Sequence, residues 1–338
     1  MATVTFNEAI SKIHDAAKEA FDADPRVQAI GVAGDPNRAH YRAVRNTAAI
    51  LPMATNVRHA SEYGGIDITY VDARNDVEAH VKLPSSGPGS PTAASLVPEQ
   101  HRRRPLVCGL QIENYDDDVR TQVIAGGHII VGTLGCFVRT PDGSIAILSN
   151  NHVVAGENRG LKGTDRICQP FGQADAVSGL TDYVALRPSP LGARPAQGNV
   201  VFNDVDAGIA ALNSSIGHAQ GYLPARTGLK GPTGTSAPAN GIAVFKVGRT
   251  TGLTYGEITD VGTIVGPIGY APGPVWFQNC FTVEGLGGTM FSDHGDSGSA
   301  IIEKATGAVL GLLFAGNGQQ TYACPISSIL TALNCTMA

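Results

Sequence analysis

The chain has 338 residues, 42 of them glycine and 20 proline, with 24 basic against 29 acidic side chains and a formal net charge of -5. That length exceeds one ordinary core and calls for two or three compact units, and so much glycine and proline with so few charges favours short strands and turns over long helices. The only basic run is Arg102, Arg103 and Arg104, which excludes the electrostatic footprint of a nucleic-acid binder; no secretion signal opens the chain and no apolar stretch of about 18 residues occurs, so a soluble, cytoplasmic protein without a membrane partner is expected.

Residues 5 to 21 read as an amphipathic helix, with Thr5 and Glu8 as a capping box and Phe6, Ile10, Ile13, Ala17 and Phe21 on one face. Strands are expected at Val27 to Val32, His40 to Ile50 and Ile66 to Val71, which makes residues 1–83 an N-terminal α+β domain in which the helix packs on a small sheet. Pro84 to Pro98 is rich in Ser, Gly, Pro and Ala, and residues 84–126 are read as a linker.

From about residue 127 the texture changes to short apolar strands between glycine turns. His128 to Thr140 and Ser144 to Leu148 form a hairpin through Pro141-Asp142-Gly143. Further strands are expected at Asp206 to Leu212, Ile242 to Val247, Gly256 to Val265, Val275 to Val283, Ser299 to Glu303 and Ala308 to Phe314. A closing helix follows Pro325, with Ile326, Ile329, Leu330 and Leu333 on its apolar side. The six cysteines are scattered, form no Cys-x-x-Cys pair, and are expected to be buried free thiols.

Chemistry concentrates in Gly295-Asp296-Ser297-Gly298-Ser299. A serine nucleophile needs a base, an orienting acid and donors for the oxyanion. His152 ends the strand of Leu148-Ser149-Asn150-Asn151-His152, where a rigid backbone can present an imidazole as general base. Two aspartates open apolar runs and compete as the acid that fixes the imidazole tautomer: Asp206, before Ala207-Gly208-Ile209-Ala210-Ala211-Leu212, and Asp182, before Tyr183-Val184-Ala185-Leu186. Asp206 is preferred for its longer run of small residues, while Asp182 fits a turn acid equally well. The elbow of an α/β-hydrolase needs Gly-x-Ser-x-Gly, and position 299 is serine. No His-Glu-x-x-His, phosphate-binding loop or cysteine knuckle occurs, so neither metal nor cofactor is implied.

The order His, Asp, Ser, the Asn-His-Val-Val-Ala-Gly and Gly-Asp-Ser-Gly segments, and the later Gly-Leu-Leu-Phe-Ala-Gly resemble the chymotrypsin/trypsin-like serine proteases (PA clan) over roughly residues 127–338. Lys246 to Gly256 is similar to the segment that opens the second barrel in bacterial members such as the streptogrisins. The resemblance implies a mostly β fold of two antiparallel six-stranded barrels, the first over 127–225 with His152 and Asp206, the second over 226–338 with Ser297 and the C-terminal helix. It implies that the Gly295 and Ser297 amides bind the oxyanion and that Asp296 holds the loop through an ion pair, for which Lys246 and Arg249 compete. It also implies a substrate pocket at Phe291, Ser292, Phe314, Ala315 and Gly316. Phe291 at the pocket floor argues against cleavage after Lys or Arg, although the nearby Asp293 would reverse this if the loop were shifted. The expected function is a serine endopeptidase acting on a protein or peptide substrate, with an N-terminal unit that gates it or docks a regulatory protein, or that only buttresses the first barrel. The alternatives are an inactive protease-fold binding protein and an esterase using the same triad.

Overall fold

The computed structural model describes residues 4–35, 37–48, 61–79, 82–83, 97–118, 129–224, 226 and 228–338. Its fold is mostly β and is built on two barrel-like sheets.

In the first sheet, Gln111–Asn114 pairs with Ile129–Thr133, and that strand bends through Leu134 and Gly135 into Cys136–Arg139. The ring continues through Ile145–Ser149, Gly208–Leu212, Ala176–Tyr183 and Arg166–Cys168, which returns to Gln111–Asn114. Gln111–Asn114, within the stretch expected as a linker, is therefore a strand of this barrel. Leu106, Leu110 and Ile112 are buried in its core, and their apolar spacing is too short a signal to stand out against the Gly/Pro-rich stretch before them. Of that stretch, residues 84–96 lie outside the described residues, as do Ile50 and His128 at two expected strand ends.

The second sheet closes as six strands. Ala243–Gly248, Gly252–Tyr270, Gly273–Gly285, Gln320–Pro325, Val309–Gly316 and Ala300–Glu303 pair in turn, and Ala300–Glu303 returns to Ala243–Gly248. Two short strands cross between the units: Phe202–Asn203 lies parallel to Trp276 and Phe277, and Thr336–Met337, after the helix Ile326–Ala332, pairs with Val138 and Arg139. One buried cluster spans the seam, with Leu134, Phe137 and Ile147 from the first barrel and Phe277, Leu312 and Phe314 from the second.

The N-terminal helix is capped at Thr5, whose hydroxyl accepts from the Glu8 amide at 3.4 Å, but it breaks at Lys12 into Phe6–Ser11 and Ile13–Ala23. Ile13, Ala17 and Phe21 are buried as expected and Phe6 is half-buried, whereas Ile10 is 38% exposed and Ala9 is buried in its place. This helix packs on Val27–Asp35, Arg38–Asn46 and Ile66–Ala73, which form no separate sheet. Val27–Asp35 pairs with the far half of Gly252–Tyr270, with Ala29 opposite Val265, so the N-terminal unit extends the second barrel's sheet, while Arg194 of the 127–225 unit donates to the Phe21 carbonyl at 3.4 Å. Gly31 permits this join: a Cβ there would lie 2.6 Å from Thr263 Oγ1 and 2.7 Å from Asp260 Cβ. Phe21 meets Trp276 edge-on at 5.0 Å between ring centroids, and burying two such aromatics contributes on the order of several kcal/mol to the join.

Candidate active site

The first barrel brings histidine and acid together by register. Ser149 pairs with Gly208, so the helix Asn151–Val154 and the residues before Gly208 leave the same end of the sheet. His152 Nδ1 lies 2.5 Å from Asp206 Oδ2, and the His152 amide donates to Asp206 Oδ1 at 3.2 Å. Asn150 Nδ2 donates to the Asp206 carbonyl at 2.7 Å, which holds the acid's own backbone. Asp182 is elsewhere: it is exposed and paired with Lys162 at 2.5 Å. The sequence favoured Asp206 only by its longer run of small residues, because both aspartates precede apolar runs. Only the pairing partner of each strand decides which one faces the histidine.

Tyr270 is a site residue that the sequence did not reveal. Its hydroxyl donates to Asp206 Oδ2 at 2.9 Å, and its ring lies 5.8 Å from the imidazole. Burial, and then the neighbouring Asp206 charge, raise its pKa well above the ordinary value, so it stays a proton donor. Its only signal was a position near the turn Ala271-Pro272-Gly273, too weak to link it to a residue 64 positions away.

The Gly295–Ser299 loop, the candidate nucleophile loop, sits across the seam. Thr133 donates its amide to the Ser297 carbonyl at 2.8 Å and its hydroxyl to the Gly295 carbonyl at 3.0 Å. A Cβ on Gly132 would lie 2.4 Å from Val153 Cγ2 and 3.0 Å from the Ser297 carbonyl oxygen. The histidine helix and the serine loop therefore abut the same strand. Ser297 Oγ donates to the Phe314 carbonyl at 3.4 Å, while His152 Nε2 is buried without a hydrogen-bond partner among the described residues. Such a serine–histidine bond is often long or unformed without substrate. Gly295 has φ of 93°, a left-handed conformation natural to glycine. Its amide and that of Ser297 donate to no other described residue, which suits them to an incoming oxyanion.

Asp296 is fully buried and lies 3.3 Å from Lys246 Nζ. It also accepts from the Thr250 amide at 2.8 Å, the Thr251 hydroxyl at 2.6 Å and the Asp293 amide at 3.1 Å. Burial pushes its carboxyl up, but the Lys246 charge and these donors outweigh that and hold it below the ordinary value. Burial lowers the Lys246 ammonium, and Asp296 opposes the shift. Arg249 is not the ion-pair partner: its guanidinium donates to Gln111 Oε1 at 2.9 and 2.7 Å, and burial brings it down to about 10. It braces the loop indirectly, since its amide donates at 3.1 Å to the Thr133 hydroxyl that holds Gly295.

Of the expected pocket residues, Phe291 is buried among Val244, Ile258 and Phe281, so its side chain is core rather than the floor of an open pocket. Ser292 Oγ lies 2.7 Å from Thr321 Oγ1, and the Phe314 ring meets that of Phe277 at a tilt of 46°, with 4.6 Å between centroids. Ala315 and Gly316 form a strand edge that pairs with Ala79 and Glu78. All six cysteines are buried and free. Among the described residues there is no cluster suited to a metal ion, and no helix is long and apolar enough to cross a membrane.

No protein-family model matches the chain, and no curated protein sequence does. Similar solved structures include Thermobifida fusca protease A, at 18% identity over 62% of this chain and 91% of that one, with a TM-score of 0.42. A Nocardiopsis protease is 17% identical over 68% of this chain and 97% of its own, with a TM-score of 0.46. A glutamic acid-specific serine protease, described as using a histidine triad in substrate binding, is 18% identical over 69% of this chain and 100% of its own, with a TM-score of 0.44. With histidine and aspartate on one barrel, serine on the other and the loop between them, this chain is similar in fold to the chymotrypsin/trypsin-like serine proteases.

Proposed function

We propose that the protein is a serine endopeptidase whose catalytic residues are His152, Asp206 and Ser297. The observation that carries this is the buried His152–Asp206 pair at 2.5 Å, which leaves Nε2 as the ring nitrogen without a partner among the described residues, on a helix that abuts the same strand as the Ser297 loop. Ser297 Oγ attacks the scissile carbonyl carbon as its proton passes to His152 Nε2, and the imidazolium is stabilised by Asp206. The Gly295 and Ser297 amides receive the oxyanion. Collapse of the intermediate breaks the C–N bond, His152 returns the proton to the departing amine, and water repeats the sequence on the acyl-enzyme. Losing one oxyanion donor costs about 2.7–4 kcal/mol in enzymes that work this way.

The substrate is a protein or peptide bound in extended form along Ala315–Gly316, a strand edge suited to backbone pairing that the chain's own Ala79 and Glu78 occupy in this structure. Six buried thiols, none paired, support action in a reducing compartment such as the cytoplasm. The N-terminal unit regulates access to the site. Fluorophosphonate labelling followed by peptide mapping tests the nucleophile: an adduct on Ser297 that disappears in Ser297→Ala supports the reading. Sequencing the termini released from a peptide library then distinguishes a peptidase from an esterase.

A further inference from the structure

The strand Val309–Gly316 pairs with Ala300–Glu303 only as far as Leu312, opposite Ala300. Just beyond, the nucleophile loop takes over the same edge: Gly298 donates its amide to the Leu313 carbonyl at 2.9 Å, and the Leu313 amide donates to Ser299 at 3.0 Å. The next two residues along that edge, Ala315 and Gly316, are taken by the chain's own Ala79 and Glu78 in antiparallel pairing. Three residues after Ala79, Lys82 pairs with Ile130 and Leu83 with Ile129, on the strand whose Thr133 holds the Ser297 carbonyl. The same short stretch is thus fixed to one barrel at its start and to the other at its end, on the two edges that flank Ser297.

Covalent geometry keeps these two anchors of the chain close together. From Ala79 to Lys82 the chain spans three residue steps, at most about 10 Å when fully extended. An extended strand added to a sheet edge is also how peptides are commonly bound by other chains. Further contacts seat the start of the segment. Val77 is buried in the core shared by both barrels, Asn75 Nδ2 donates to the Asn317 carbonyl at 3.2 Å, and Glu78 Oε2 lies 3.8 Å from Nε2 of His294 in the nucleophile loop. Consistent with a covered cleft, His152 and Ser297 are both 0% exposed. A cavity of about 610 Å³ is lined by Asp76, Val77, Glu78 and Ala79 among others, which leaves open volume into which the segment can move.

From this arrangement we infer that residues 78–79 and 82–83 hold the protein's own chain in the substrate groove as an intramolecular pseudo-substrate, and that this segment must leave before another polypeptide can bind. The inference rests on the reading of Ala315–Gly316 as the substrate edge. It names what restrains the site: a strand of the N-terminal unit, with the same backbone chemistry as the substrate it excludes.

The test is made in the full-length Ser297→Ala chain, so that it does not depend on catalysis. A fluorescent synthetic peptide of residues 75–83 is titrated by anisotropy against this protein and against the same protein carrying Glu78→Pro and Ala79→Pro. The two prolines remove whichever of the two amides donates to the edge. Binding about tenfold or more tighter in the proline variant is the expected result, as loss of one or two backbone hydrogen bonds would give. Equal binding by both proteins, or binding by neither, overturns the inference. Hydrogen exchange of the Ser297→Ala chain without prolines covers the case of a misfolded variant: whichever of the Glu78 and Ala79 amides donates to the edge should be protected, and complete exchange of both at the first time point also overturns it. If the peptide binds only the proline variant, but that variant with Ser297 restored takes up no fluorophosphonate, the segment occludes the groove and the nucleophile assignment is what fails.

Discussion

Replacing Lys246 by methionine should expose the electrostatic design of the nucleophile loop. Lys246 and Asp296 are both fully buried, 3.3 Å apart. At that separation two unit charges attract by about 5 kcal/mol at an effective dielectric of about 20, an attraction that offsets much of the cost of burying them. Lys246→Met leaves Asp296 buried without a countercharge, a change that typically costs about 3–5 kcal/mol. The amides of Thr250 and Asp293 and the Thr251 hydroxyl still donate to the carboxylate, which places the expected loss at the lower end. The pH dependence distinguishes this from lost packing. In the wild type Asp296 is held below its ordinary value of 3.8, so its contribution is present above that value and fades as pH falls through the lower folded value. In the variant burial dominates and the carboxyl is raised. Its penalty is then full at neutral pH and is relieved as pH falls through the raised folded value. The stability gap between the two proteins, measured by urea unfolding from pH 7 down to about 4, should therefore narrow. The double variant Lys246→Met/Asp296→Asn should recover most of the loss at pH 7. A gap that stays constant with pH, or no gap at pH 7, would refute the reasoning.

Other consequences follow from the same contacts. Asp206→Asn should lower turnover of a peptide substrate by about 10⁴-fold through the wrong imidazole tautomer, while Asp182→Asn, on the exposed Lys162 pair, should leave it unchanged; the reverse pattern in steady-state kinetics would reassign the acid. Tyr270→Phe deletes one hydrogen bond to Asp206 and should cost about 0.5–1.5 kcal/mol in kcat/KM with KM little altered. Gly31→Val places side-chain atoms where Thr263 and Asp260 already stand, so exchange of the amides in 27–35 should rise while those of Val309–Gly316 stay protected; unchanged protection in 27–35 would show that the N-terminal sheet does not depend on this close approach.

What the sequence disclosed and what it hid follow physical lines. Alternating and apolar runs located most of the strands because each is a local pattern of burial, and the positions of His152 and Ser297 were legible because short turns with particular residues set them. Pairing partners were not legible, since they join residues far apart in the chain. That is why Asp206 could be preferred over Asp182 only on the length of its run of small residues, why Lys246 could not be told from Arg249 as the partner of Asp296, and why Tyr270 went unnoticed. The N-terminal strands carry the marks of a small sheet, yet their edge pairs with the long strand Gly252–Tyr270, and no local signal encodes that choice. Phe291 was placed in the pocket by alignment to a resemblance, whereas the large apolar side chain follows the stronger drive into the core. The dipeptides 78–79 and 82–83 were too short to register as strands at all, and only their partners give them meaning.

The central claim is that Ser297 is a nucleophile activated by His152. Its most direct measurement is intact-mass and peptide mapping after fluorophosphonate treatment of the Glu78→Pro/Ala79→Pro protein, with Ser297→Ala and His152→Ala versions of it alongside. The account predicts a single adduct on Ser297, none after Ser297→Ala, and strongly slowed formation after His152→Ala. A folded protein that binds the 75–83 peptide yet forms no adduct, or forms one at the same rate without His152, would contradict it.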